Sequence, residues 1–127
     1  MRRRLPTSEY PVTSNGGSLK SKWFQILLAI ADRDLHGSAI MDEVLLRTDG
    51  SMRLWPGALY GALREMEDAG LIAETEPPDG APTEGGKRRF YGITPAGRDR
   101  LAEEVDRMAA LVRIARSRSV PTGQEAV

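Results

Sequence analysis

The stretch from Leu54 to Ile72, LWPGALYGALREMEDAGLI, constrains the fold more than any other part of the chain. Pro56 suits the first turn of a helix, where its missing N–H costs nothing, and Gly70 is the kind of stop that follows a last helical turn. The spacing predicts a helix over 56–69 that leads directly into a strand over 72–76. With Leu59 taken as inward and about 100° per residue, Ala62, Leu63, Met66 and Gly70 share the buried stripe. Gly57, Gly61, Arg64 and Asp68 lie opposite, with Tyr60 on the flank. Each glycine inside a helix costs about 1 kcal/mol relative to alanine, so this outer face needs a reason. Residue types alone leave two open. One is close approach to a large body such as the wall of a major groove, with Arg64 reaching a guanine edge or a phosphate and the Tyr60 hydroxyl a phosphate oxygen. The other is an ordinary surface helix on which Arg64 pairs with Asp68 at i+4.

Upstream, LKSKWFQILLAIA places apolar residues at Leu19, Trp23, Leu27 and Ile30 and again at Phe24, Leu28 and Ala31. That is a helical pattern with a wide apolar surface, which asks for cover from its own domain and from a second chain. Residues 32–35 read as a short polar break. A second helix is predicted over 38–48, with Ile40, Met41, Val44 and Leu45 inward and Asp49-Gly50 as its stop. Met52-Arg53-Leu54 is a short extended link.

Downstream, PPDGAPTEGG is dense in turn residues, and 88–93 read as a return strand with Tyr91 and Ile93 on one face and Phe90 on the other. Thr94-Pro95 is an N-cap followed by a helix-starting proline, and the last helix is expected over 95–118. The order helix, helix, helix, strand, strand, long helix is that of a winged helix-turn-helix: mainly α, with a two-stranded β wing and a long C-terminal helix. The expected organisation is a basic tail over 1–18, the winged domain over 19–94, a dimerisation helix over 95–118 and a second tail over 119–127.

In that last helix Leu101, Val105, Met108, Val112 and Ala115 are spaced four, three, four, three. This is a heptad seam, and Leu111 and Ile114 broaden it. A domain this small offers no obvious second layer to cover it, so the expected partner is the first and last helices of another chain, with Trp23 and Leu27 on the facing side. Intramolecular packing is the alternative.

With 127 residues the chain supports one small domain plus tails. The lack of cysteine excludes disulfides, iron–sulfur clusters and thiol chemistry, and a single histidine argues against a dedicated zinc site. No apolar run approaches the roughly 20 residues that span a membrane, and no apolar segment follows the basic start MRRRLPTSEYP. A cytoplasmic protein with no membrane partner is expected. Glu65, Glu67 and Asp68 sit on an exposed helix face without a histidine or metal partner, so neither enzyme activity nor a cofactor is expected.

Eighteen basic and eighteen acidic residues cancel formally, but they are segregated. The basic groups are Arg2 to Arg4, Lys20 with Lys22, Lys87 to Arg89, and Arg113, Arg116 and Arg118, whereas the acids fall mainly between Asp32 and Glu76. Such segregation can build a local positive field of several kT on a neutral chain.

The run LLAIADRDLHGSAIMDEVLLRTDGSMRLWPGALYGALREMEDAGLI, followed by GGKRRFYGITPAGRDRL, closely resembles the PadR family of bacterial winged-helix transcriptional regulators. The cues are His36-Gly37, Pro56-Gly57-x-Leu59-Tyr60, Glu67-x-x-Gly70-Leu71-Ile72, the strand Arg88-Arg89-Phe90-Tyr91, and Thr94-Pro95-x-Gly97. Their order over residues 23–118 makes the match specific. The resemblance implies a repressor that binds a palindromic operator in double-stranded DNA as a homodimer, its third helix in the major groove and its wing along the neighbouring minor groove or backbone. Lys22, His36, Pro56, Gly57, Tyr60, Gly61, Arg64, Lys87, Arg88 and Arg89 would form the DNA surface. Leu101, Val105, Met108, Leu111, Val112 and Ala115, with Trp23 and Leu27, would form the dimer.

Short members of that family can bind a small apolar effector between subunits, for which Trp23, Phe24 and Met108 are the candidates here; the alternative is that the Trp-Phe pair is simply core. Four positions depart from the family pattern: Ser38, Ala58, Gly92 and a bulky Trp55 before Pro56. They are expected to alter affinity or operator sequence without changing the docking mode. The competing class is a winged-helix module that binds a protein or small molecule without DNA readout, favoured by zero net charge and a single base on the reading face.

Overall fold

The computed structural model describes residues 17–78 and 89–123. Helices α1 (Ser21–Ala29), α2 (Gly37–Arg47), α3 (Pro56–Asp68) and α4 (Pro95–Ser117) pack around strands β1 (Leu35–His36), β2 (Ile72–Thr75) and β3 (Phe90–Ile93). The sheet is antiparallel in the order β1-β3-β2. The wing therefore has a third strand, where the sequence suggested two and a polar break. Leu35 pairs with Tyr91 and His36 with Phe90, so the central β3 is covered along both edges.

Each helix begins where local chemistry permits. At α2 the His36 Nδ1 accepts the Ala39 N–H at 3.2 Å, which starts the helix at Gly37, one residue earlier than expected. At its end Asp49 and Gly50 take φ of 53° and 82°, and the Thr48 hydroxyl, which donates to the Val44 carbonyl at 2.8 Å, accepts the Met52 N–H at 3.1 Å. Helix α3 buries Leu59, Ala62, Leu63 and Met66, the predicted stripe. Gly70 is not part of that stripe: its φ of 79° turns the chain off the helix, and it is exposed.

The start of α4 is tied to the end of α3. The Thr94 hydroxyl accepts the Gly97 N–H at 3.0 Å and donates to the Gly70 carbonyl at 2.6 Å, while the Thr94 N–H donates to the Leu71 carbonyl at 3.1 Å. A Cβ at position 97 would sit 2.0 Å from the Leu71 carbonyl oxygen, so Thr94-Pro95-x-Gly97 is a packing requirement as well as a capping one.

The core draws Ile26, Leu27 and Ile30 from the α1 region, Ile40 and Val44 from α2, the α3 stripe, Ile72 and Tyr91, and Leu101 from α4. Leu27 is fully buried and Leu101 is 7% exposed, so both belong to the chain's own core and not to a dimer surface. The apolar width of α1 is likewise mostly covered from within, since Trp23, Phe24, Leu28 and Ala31 pack against that core. Beyond Leu101 the inner face of α4 turns polar. Glu104, 5% exposed, accepts the Leu19 N–H at 3.1 Å, and Arg100 and Arg107 donate to the Gly17 carbonyl at 2.6 and 3.2 Å. Of the expected tail over 1–18 only Gly17 and Ser18 are among the described residues, and Gly17 is held by these two arginines. Past Glu104 the apolar side chains of α4 are uncovered: Val105, Met108, Leu111, Val112 and Ile114 are between 40% and 58% exposed.

Candidate nucleic-acid interface

The outward side of α3 presents Gly57, Tyr60, Gly61 and Arg64 around the buried stripe below it. Tyr60 is 42% exposed, and the tip of its ring lies against Gly37. A Cβ added to Gly37 would lie 2.4 Å from its hydroxyl oxygen and 2.8 Å from Cζ, so the ring lies across the first turn of α2. That contact explains why glycine follows His36. The bare backbone of α2 is the surface against which the phenol is held.

Gly57 and Gly61 contrast with Gly37 and Gly97. A Cβ at either would meet nothing within 4 Å, so no neighbour in the chain asks for glycine there. Arg64 is exposed and forms no ion pair with Asp68 among the described residues. The acids of α3, Glu65, Glu67 and Asp68, all follow Arg64, which leaves the first half of the helix without a negative side chain.

The remaining expected DNA residues are placed unevenly. His36 is committed to the fold, with Nδ1 capping α2 and its ring edge-on to Phe90 at 5.3 Å. It is half-buried, and the next residue, Gly37, is the one the Tyr60 ring lies against. Lys22 is partly buried on α1, a different element from the one that carries Tyr60 and Arg64. On the wing, Arg89 has a side chain 71% exposed and stands 3.9 Å from Glu74 on the paired strand, so its charge is partly countered. Lys87 and Arg88 lie outside the described residues. Burial pushes the Tyr91 phenol above its ordinary value, against the lowering pull of its hydrogen bond to Arg89. At Gly92, one of the departures, a Cβ would lie 2.6 Å from a carboxylate oxygen of the exposed Asp34 and 3.2 Å from the Thr75 methyl.

One pair at this surface escaped the sequence reading. Arg53, taken as part of an extended link, stacks its guanidinium over the Trp55 ring at 5.1 Å, and Trp55 is 63% exposed. The x-Leu54-x alternation was the available signal, because burying Leu54 turns both neighbours outward.

The three candidate effector residues are not gathered within one chain. Trp23, with the Lys20 ammonium 5.2 Å from its ring, lines a cavity of about 200 Å³ with Leu19, Leu71 and Arg100. Neither Phe24 nor Met108 lines it. Among the described residues no group of histidine, cysteine or carboxylate side chains is arranged to hold a metal, and no helix is long and apolar enough to cross a membrane.

Three helices in the helix-turn-helix order, a small antiparallel wing and a long following helix define a winged-helix domain. The sequence matches the Transcriptional regulator PadR-like family over residues 26–103, from within α1 to the first half of α4, and the chain belongs to that family. It is 33% identical over 88 residues to a transcriptional regulator of Mycobacterium tuberculosis, a match covering 69% of this chain and 76% of that protein. It is 40% identical over 86 residues to an uncharacterized transposon protein of Streptomyces fradiae, covering 68% of this chain and 22% of that protein. The fold is similar to that of a PadR family transcription regulator from Clostridium difficile, with a TM-score of 0.63, 22% identity, and 77% and 97% of the two chains covered.

Proposed function

We propose that this PadR family regulator binds double-stranded DNA sequence-specifically as a homodimer and represses transcription from a palindromic operator. The observation that carries this reading is the outer face of α3: two glycines whose Cβ would meet nothing within 4 Å among the described residues, beside Tyr60 and an exposed Arg64 that forms no ion pair among those residues. In a groove, bare backbone at 57 and 61 lets the helix approach the bases, Arg64 reads a guanine edge, and Tyr60 bonds a phosphate. Lys87, Arg88 and Arg89 then hold the neighbouring backbone.

The apolar stripe Val105, Met108, Leu111, Val112 and Ile114, exposed on α4 past Glu104, supports pairing of two chains. Pairing through α4 would set two reading helices about 34 Å apart, one turn of DNA. Release by a small apolar ligand would use the cavity that Trp23 lines, with Phe24 and Met108 lying outside it.

Zero net charge and the Glu74 carboxylate beside Arg89 favour the second reading, a winged module that binds a protein or small molecule without reading DNA. Fluorescence anisotropy with a mixed-sequence duplex at low salt separates the two. A regulator binds and loses affinity steeply as salt rises, through counterion release. Absence of salt-dependent binding would leave only the interaction module.

A further inference from the structure

The segment between α2 and α3 ends in two exposed side chains on either side of a buried one. Leu54, 6% exposed, anchors the link, and the alternation of an extended chain turns Arg53 and Trp55 outward together. The guanidinium stands 5.1 Å from the indole centroid, within the range of a cation–π contact. Trp55 is the N-cap position of α3, yet its side chain makes no capping bond; a serine, threonine, aspartate or asparagine would stabilise the helix start better. An indole left 63% exposed at such a place contributes little to the fold. Its position gives it another use: Pro56 and Gly57 follow directly, both exposed, and the strip continues to Tyr60, Gly61 and Arg64. The one acid lining the groove beside the pair is Asp42, on α2.

We propose that Arg53 and Trp55 act as one stacked unit gripping the DNA backbone at the start of α3. This deepens, and rests on, the reading of α3 as the DNA-binding helix. The indole packs on a deoxyribose with its Nε1–H donating to a phosphate oxygen, and Arg53, placed over the ring, donates to the adjacent phosphate. Because it addresses the backbone, the pair strengthens binding to every sequence, while Arg64 carries discrimination. Stacking also fixes the guanidinium beforehand, so less side-chain freedom is lost when DNA arrives.

Anisotropy titrations of the full chain with a mixed-sequence duplex over a salt series, for the parent, Arg53→Ala, Trp55→Ala and Trp55→Phe, test this. Trp55→Ala should weaken binding about five-fold or more, the size of an aromatic contact, on all duplexes alike. Arg53→Ala should lower the slope of log K against log salt by about 0.9, the equivalent of one phosphate. Trp55→Phe, which keeps a platform but loses the N–H, should fall between parent and Trp55→Ala.

A second readout needs no change at the site. The chain has two tryptophans, so in Trp23→Phe the emission of Trp55 alone should be quenched or shifted by DNA. A parent chain that binds no DNA overturns the α3 reading and this inference with it. A parent that binds, with Trp55→Ala matching it in affinity and Trp55 emission unmoved, overturns only the stacked pair.

Discussion

Gly61→Ala separates a helix built for stability from one built for approach. Gly61 lies inside α3, where glycine is worse than alanine by about 1 kcal/mol because the unfolded chain loses more freedom on folding. The added Cβ meets nothing within 4 Å, so no clash offsets that gain. The variant should therefore be more stable than the parent by about 0.5–1 kcal/mol, which for a domain of this size raises the melting temperature by roughly 2–8 °C. DNA binding should move the other way. If the backbone at 61 closes on a groove wall, an intruding methyl costs about 1–3 kcal/mol, as overpacking does elsewhere. That is roughly five-fold to a hundred-and-fifty-fold in Kd. Thermal unfolding followed by circular dichroism and anisotropy titration on a selected duplex give the two numbers from one preparation. A variant that gains stability and keeps the parent Kd would refute the close approach, and with it the reason given for glycine on this face.

Gly97→Ala should behave in the opposite sense in stability: its Cβ falls 2.0 Å from the Leu71 carbonyl oxygen, so a loss of about 1–3 kcal/mol is expected in denaturant titration. Thr94→Ala removes both the cap on Gly97 and the bond to the Gly70 carbonyl, and should lower stability by about 1–2 kcal/mol in the same assay. Leu111→Asp, at a residue 58% exposed on α4, should leave the melting of the winged domain nearly unchanged while light scattering reports monomers. Replacing Lys87, Arg88 and Arg89 together with alanine should weaken binding to all duplexes and flatten the salt slope by up to about 2.7, on the basis of 0.9 per phosphate contact.

The parts of the fold legible in the sequence were those with periodicity or a chemical stop. The stripe of Leu59, Ala62, Leu63 and Met66 followed from helical spacing, and the Thr94 cap from its place before Pro95. Strand β1 was not legible, because two residues carry no period and Leu35 and His36 become a strand only when β3 lies beside them. Leu27 and Leu101 were placed on the dimer because apolar spacing shows that a face is covered without showing by what. The heptad seam of α4 reads continuously from Leu101, yet the structure divides it: Leu101 enters the core, and the residues from Val105 onward are exposed.

Glu104 is a buried acceptor for the Leu19 N–H, a tertiary fact with no local signature in the sequence. In the site, the outward set of Gly57, Gly61 and Arg64 was readable from helical phase. The seat of Tyr60 on Gly37 was not, since it joins residues 23 positions apart; for Arg53 and Trp55 the alternation around Leu54 signalled that both face outward but not that they meet.

The most direct test of paired α3 helices reading DNA is selection from random duplexes by the purified chain, followed by the stoichiometry on the enriched site. The expected result is a palindrome with half-site centres about one helical turn apart, bound by two chains. Enrichment of no sequence, or of a single half-site bound by one chain, would contradict it.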